Sequence, residues 1–199
     1  MSPRSTTANQ LIKDARREAL LIAARGVFAR KGLAATRISD IAADAHVSQG
    51  LVYHYFSTKE ALFAEIVEGA LRETARLTAS ALQRPGPAWQ RLEYLCGQML
   101  DGVHDDPEYV LVIVQAYTSD AAPEQARTAL AEYGQRTFAD IVALLVAGQA
   151  EGSVTSDSPV DLALALTACI QGLALTRLQG GPDAAYPRRE TVMRLLRAT

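Results

Sequence analysis

The chain has 199 residues, with 20 Lys and Arg facing 22 Asp and Glu for a formal net charge of −2, and it is 49% apolar and 21% charged. These are ordinary values for a soluble globular protein. Two cysteines, Cys96 and Cys169, are too few for a disulfide scaffold or a cysteine-based zinc site, and both read as small core residues. The 35 alanines and 24 leucines, beside a single asparagine, point to a mainly helical protein.

The first ten residues lack an apolar run and read as a disordered arm (1–10), not a secretory signal. A helix is predicted from about Leu11 to Lys31, with the core-facing stripe Leu20, Ala24, Val27 and Phe28, and Gly32 at its C′ position. Thr36 is the expected N-cap of a short second helix that buries Ile38, Ile41 and Ala42. Ala45-His46-Val47 forms a tight connection, and Ser48 caps a third helix, Gln49 to Phe56. Ser57 with Glu60 reads as a capping box opening a long helix to about Gln83. Arg84-Pro85-Gly86-Pro87 breaks the pattern.

Trp89 to His104 is the next predicted helix, and Asp105-Asp106-Pro107-Glu108 starts another through Tyr117, with Pro at N1. Pro123-Glu124 opens a helix to Ala150. Ser158-Pro159-Val160-Asp161 opens an apolar one to about Leu178, and a last helix spans Tyr186 to Ala198. The total is about nine helices and no convincing strand. The longest uncharged run, Leu162 to Thr176, is 15 residues, short of a membrane span. It reads as a buried helix, so no membrane partner and a cytoplasmic location are expected.

Charge singles out the beginning of the chain. Residues 1–60 carry nine Lys and Arg against five Asp and Glu, whereas 61–199 carry eleven against seventeen. A basic first quarter on an acidic body suggests that only this part meets a polyanion. Two short helices joined by about three residues and braced by a longer one form a helix-turn-helix arrangement.

On a wheel at about 100° per residue, Val52 and Phe56 share one side of the third helix. Gly50, Leu51 and His54 lie opposite, with Tyr53 and Tyr55 at the flanks. Gly50 costs about 1 kcal/mol in a helix, but it lets the backbone approach a groove wall. Ser48 offers a hydroxyl and free N–H groups at a helix N-terminus, a natural phosphate seat. Lys59 sits in the first turn of its helix, where the macrodipole disfavours a cation unless an external anion comes close.

Residues 20–63 resemble the DNA-binding domain of the TetR family of transcriptional regulators. The matching elements are Ala23-Ala24 with Phe28, Gly32, Thr36, Ile41-Ala42, Val47-Ser48, Gly50, Tyr53-His54-Tyr55-Phe56, Lys59 and Leu62. The resemblance implies that Thr36, Arg37, Ser48, Tyr53, Tyr55 and Lys59 hold phosphates, and that Gln49, Gly50 and His54 approach base edges in the major groove. Gln can pair bidentately with adenine. His46 replaces a usual turn glycine, which a positive φ would tolerate at some strain. Leu51 replaces a small polar residue and can touch a thymine methyl but cannot donate a hydrogen bond.

The resemblance also implies an all-α architecture: a helix-turn-helix DNA-binding domain (11–57) and a larger helical effector-binding and dimerisation domain (58–199). Trp89, Tyr94, Met99, Tyr109, Gln115, Tyr117 and Phe138 are candidates to line an effector cavity. The apolar helix and the last helix are the implied dimer interface, with Ala165, Ala168, Cys169, Gly172, Leu173 and Leu195 in it. The expected protein is a homodimeric regulator, a repressor released by a small apolar or aromatic molecule, on double-stranded DNA with a palindromic operator.

No cofactor, metal or catalytic residue is expected. The three histidines never pair at i, i+4, and Asp101, His104, Asp105 and Asp106 read as a helix end and the next cap. The rivals are a regulator that activates or lacks an effector, a helical protein-binding adaptor, and an enzyme using a pocket in the body.

Overall fold

A computed structural model describes residues 3–181 and 185–198. The elements are α1 (Pro3–Ala35), α2 (Ile38–Asp44), α3 (Gln49–Tyr55), α4 (Lys59–Gln83), α5 (Ala88–Asp105), α6 (Glu108–Thr118), α7 (Glu124–Ala129), a π turn (Leu130–Gly134), α8 (Gln135–Ala150), α9 (Pro159–Gly180) and α10 (Arg189–Met193). α7, the π turn and α8 run on without a break, so the described residues form nine helical rods.

α1 starts well before Leu11, so residues 3–10 continue the helix instead of forming the expected arm; Met1 and Ser2 lie outside the described residues. Proline is suited to a first helical turn, and the Gln10 amide donates to Asp14 Oδ1 one turn on at 2.8 Å. Near its other end α1 bends at Gly32, where φ is 78°. With ψ at 161° this is not the αL conformation of a C′ cap but an extended positive-φ one that essentially only glycine adopts.

The stripe Leu20, Ala24, Val27 and Phe28 is buried, and the Phe28 ring meets Phe63 of α4 edge to face at 5.2 Å. Ile38 and Ile41 of α2, Val52 of α3 and Phe56 join the same core. α4 therefore ends in the core of the three-helix head and runs on into the body, straddling the expected boundary at 57/58. In the body, α4, α5, α6, α8 and α9 pack around one another. Glu151 accepts the Ala88 N–H at 2.7 Å, tying the end of α8 to the start of α5.

Four local expectations change. Pro107 is the N-cap of α6 and Glu108 its first residue, one step from the predicted placing. The rod from Glu124 to Ala150 contains the π turn, where a Cβ on Gly134 would come within 2.5 Å of Tyr117 Oη, the tip of an exposed side chain free to move aside. The last helix is only Arg189–Met193, because the tail pairs with the segment after α8. There Thr155 N–H donates to Leu196 O at 3.0 Å and Ala198 N–H to Ser153 O at 3.2 Å.

α9 is the fourth. It is not a buried helix: only 28% of its most apolar stretch is buried, and among the described residues it alone is long and apolar enough to cross a membrane. Leu162, Ala163, Leu166, Ile170 and Ala174 face their own body, while Val160, Leu164 and Leu175 are open to water. Cys96 is buried as expected, but Cys169 on α9 is only half-buried.

Candidate nucleic-acid interface

The turn between α2 and α3 is closed by backbone bonds. Val47 N–H donates to Ala42 O at 2.9 Å and His46 N–H to Ala43 O at 3.2 Å, the pattern of a Schellman motif. His46 takes the left-handed position with φ 54°. A non-glycine residue there costs about 1 kcal/mol. His46→Gly is therefore expected to raise the melting temperature by about 1–4 °C in a thermal melt, partly offset by unfolded-chain entropy. An unchanged or lower value would show that the turn is not strained.

Arg37, not Thr36, is the N-cap of α2. Its backbone N–H donates to Asp40 at 2.9 Å, and Lys31 Nζ lies 2.9 Å from the same carboxylate. The Arg37 backbone bond first and the Lys31 bond second hold the Asp40 carboxyl below its usual range. Thr36 is buried, and its hydroxyl donates to Gly32 O at 2.7 Å, closing the α1 kink. Its side chain is thus committed inside the head and is not brought to the outer surface.

Ser48 caps α3, with Oγ accepting Leu51 N–H at 3.3 Å. Val52 and Phe56 are buried beneath α3. Ser48, Gln49, Gly50, Tyr53 and His54 are exposed, as is Arg37 at the start of α2. Leu51 and Tyr55 are half-buried, and the Tyr55 ring packs edge to face on His54 at 5.2 Å. The inward and outward faces fall where the wheel put them.

Gly50 has no internal reason to be glycine. A Cβ built on it would meet only Ser48 Oγ, at 3.9 Å, and its φ is not in the left-handed region. The helix gives up stability at this position for open space.

Lys59 departs from expectation. Its Nζ donates to the carbonyls of Leu33, Ala34 and Thr36 at 2.9, 3.1 and 2.9 Å. All three ammonium protons are used within the protein. The cation that looked misplaced at the start of α4 neutralises the carbonyl end of α1. The cap of α4 is likewise Thr58, whose hydroxyl accepts Ala61 N–H at 3.0 Å, rather than Ser57.

The body holds a solvent-connected cavity of about 1820 Å³ between α1, α4, α5, α6, α8 and α9. Met99, Tyr109, Tyr117 and Phe138 line it. Trp89 and Tyr94 do not: they stack under Arg197 and Arg84, at 5.3 and 4.2 Å, away from the cavity. Gln115 does not either, because its amide donates to Phe28 O and Ala29 O at 2.9 and 3.1 Å, holding α6 against α1.

The residues read as a helix end and the next cap take separate partners. Asp106 pairs with Arg25, and His104 Nδ1 lies 3.1 Å from Asp105. Arg25 went unnoticed in the sequence. The signal was a cation lying on the apolar side of α1, one turn after Leu21 and just before Phe28.

The description "Bacterial regulatory proteins, tetR family" belongs to the family model that matches residues 20–66. The HTH-type transcriptional repressor KstR2 of Rhodococcus jostii is 31% identical over 155 residues, 76% of this chain and 74% of that protein. The chain belongs to the tetR family.

The HTH-type transcriptional regulator BetI of Agrobacterium fabrum is 30% identical over 130 residues, 65% of this chain. The match spans 63% of BetI's length, and that with YfiR of Bacillus subtilis spans 49%. Among solved structures, KstR2 of Mycobacterium tuberculosis superposes with a TM-score of 0.76 at 20% identity, covering 92% of this chain and 96% of that one. AibR in complex with isovaleryl coenzyme A and operator DNA gives 0.73 at 17%, covering 90% and 94%. These two likenesses speak for the fold. The curated relatives are named as transcriptional regulators or repressors.

Proposed function

We propose that this tetR-family chain is a DNA-binding repressor that works as a homodimer on a palindromic operator in the cytoplasm and is released by a small molecule. The observation that carries the reading is α3: Val52 and Phe56 anchor it, while Gln49, Gly50 and His54 stand outward over a glycine with no internal purpose. In this reading Gln49 and His54 meet base edges. Arg37, Ser48, Tyr53 and Tyr55 hold phosphates on either side.

Duplex binding is expected to weaken linearly on a log–log plot against salt, with a slope of about −0.9 for each phosphate contacted. A flat line in a titration from about 50 to about 200 mM salt would remove the phosphate contacts and the reading with them.

The dimer is drawn from α9. Ala165, Ala168 and Gly172 are exposed, and a Cβ on Gly172 would meet nothing within 4 Å. Cys169 and Leu173 on the same helix are half-buried, and Leu195, after α10, is 62% exposed. Such a continuous apolar face is costly in water. Small residues along it allow another helix to come close. Two heads held this way would enter major grooves about one helical turn, roughly 34–36 Å, apart. Ala168→Arg is expected to sediment as a monomer. A stable dimer would move the interface elsewhere.

The effector site is the body cavity, with Met99, Tyr109, Tyr117 and Phe138 in its wall. AibR, solved in complex with both isovaleryl coenzyme A and operator DNA, supports a ligand-responsive body by analogy of fold. An effector that favours a different spacing of the heads lowers operator affinity by no more than its own preference between the two states.

A further inference from the structure

The chemistry of the effector can be read from the inner end of the cavity. Much of the wall is apolar, with Leu21, Val110, Ile113 and Ile141 beside the aromatic residues. Six acids line it against three arginines; Glu65, Glu68, Glu73 and Asp106 are paired, with Arg17, Arg72, Arg76 and Arg25, while Glu18 and Asp120 have no ion pair among the described residues. Arg25 on α1 is different: it is only 9% exposed and lines the cavity. One Nη donates to Asp106, and the guanidinium lies 3.8 Å from the centre of the Tyr109 ring. Its Nε is buried without any hydrogen-bond partner, as is the Thr137 hydroxyl in the same wall. A buried donor left unmade is costly, so an acceptor supplied at this wall would be stabilising.

We propose that the cavity takes an amphipathic anion, its apolar body among these side chains and its carboxylate seated on the Arg25 guanidinium. This rests on reading the cavity as the effector site. A cationic ligand would have to take Asp106 from an arginine that cannot give up its charge. An anion faces an easier exchange. Burial, more than the neighbouring Glu108, has pushed Asp106 up to about 6 against the pull of Arg25.

Arg25 also stands about one turn before Phe28 and Ala29, whose carbonyls Gln115 grips. A ligand on Arg25 therefore loads the helix whose far end packs on the reading head.

The test uses the full chain and three probes of one chain length below their micelle concentrations: dodecanoate, dodecanol and dodecyltrimethylammonium. Calorimetric titration is expected to show dodecanoate binding most tightly. Arg25→Gln should weaken dodecanoate about tenfold and leave dodecanol unchanged. Asp106→Asn should tighten dodecanoate, because a competing carboxylate is gone. Should Arg25→Gln fold poorly, the double variant Arg25→Gln/Asp106→Asn keeps the buried pair neutral and should show the same weakening.

Equal binding of all three probes, or tighter binding of the ammonium, would overturn the anion proposal while leaving the cavity a ligand site. Absence of binding by any probe would overturn the proposal outright. The effector reading itself would fall only if a broad metabolite screen also released no DNA.

Discussion

Gly50→Asp is expected to abolish operator binding while leaving the protein at least as stable as before. The substitution is benign within the chain, since a Cβ at this position meets only Ser48 Oγ at 3.9 Å. Asp also replaces the poorest ordinary helix former, and it does so in the first turn of α3, where a negative charge is favoured. Those two effects together are worth about 1 kcal/mol, or about 2–4 °C in melting temperature.

Toward DNA the same change is severe. It puts a carboxylate against the phosphate-lined groove, and like charges brought together cost several kcal/mol, so affinity should fall by about a hundredfold or more. Anisotropy titration and a thermal melt of the same variant check both halves. Retained affinity would mean that the outward face of α3 does not enter a groove. A lower melting temperature would mean that Gly50 is structural after all.

Lys59→Ala is expected to act in the opposite way, on the fold first. Removing the ammonium leaves three carbonyls of the α1 end, at Leu33, Ala34 and Thr36, without their charged donor. Hydrogen bonds to charged groups are worth about 2 kcal/mol, so the melting temperature should fall by about 4–8 °C. Operator binding should weaken because the corner between α1 and α2 loosens. Its salt slope should stay the same, since no phosphate contact is lost. An unchanged melting temperature with a slope shallower by about 0.9 would return Lys59 to the phosphate role its position in the sequence suggested.

These two residues also mark what can be read from the chain alone. The outward face of α3 was legible because it depends on helical periodicity over eight residues, from Ser48 to Tyr55. The buried positions of Val52 and Phe56 follow from that spacing. The glycine at the end of the first helix was legible for the same local reason. Lys59 was not, because the groups that explain it lie 23 to 26 residues away. Thr36 looked like a cap by residue type, but the kink at Gly32 turned its hydroxyl backward and left the cap to Arg37 and Asp40.

The body was harder still. Tyr94 and Trp89 have the composition of a ligand wall, yet arginines elsewhere in the chain cover their rings. Gln115 stands out in the sequence as a polar group on an apolar helix, and it is one. Its partners are the carbonyls of a helix 86 and 87 residues earlier rather than a ligand. Arg25 finds Asp106 across 81 residues. The short α10 has a similar cause, since the strand-like pairing of Leu196 and Ala198 with residues 153–155 ends the helix.

Selection of binding sites from a pool of random duplexes, run in parallel on the unaltered chain and on His54→Ala, tests the central claim most directly. The account predicts an inverted repeat for the unaltered chain, and for His54→Ala the same repeat with preference lost at one symmetric position in each half. Enrichment of no sequence, or an identical motif at every position from both proteins, would contradict it.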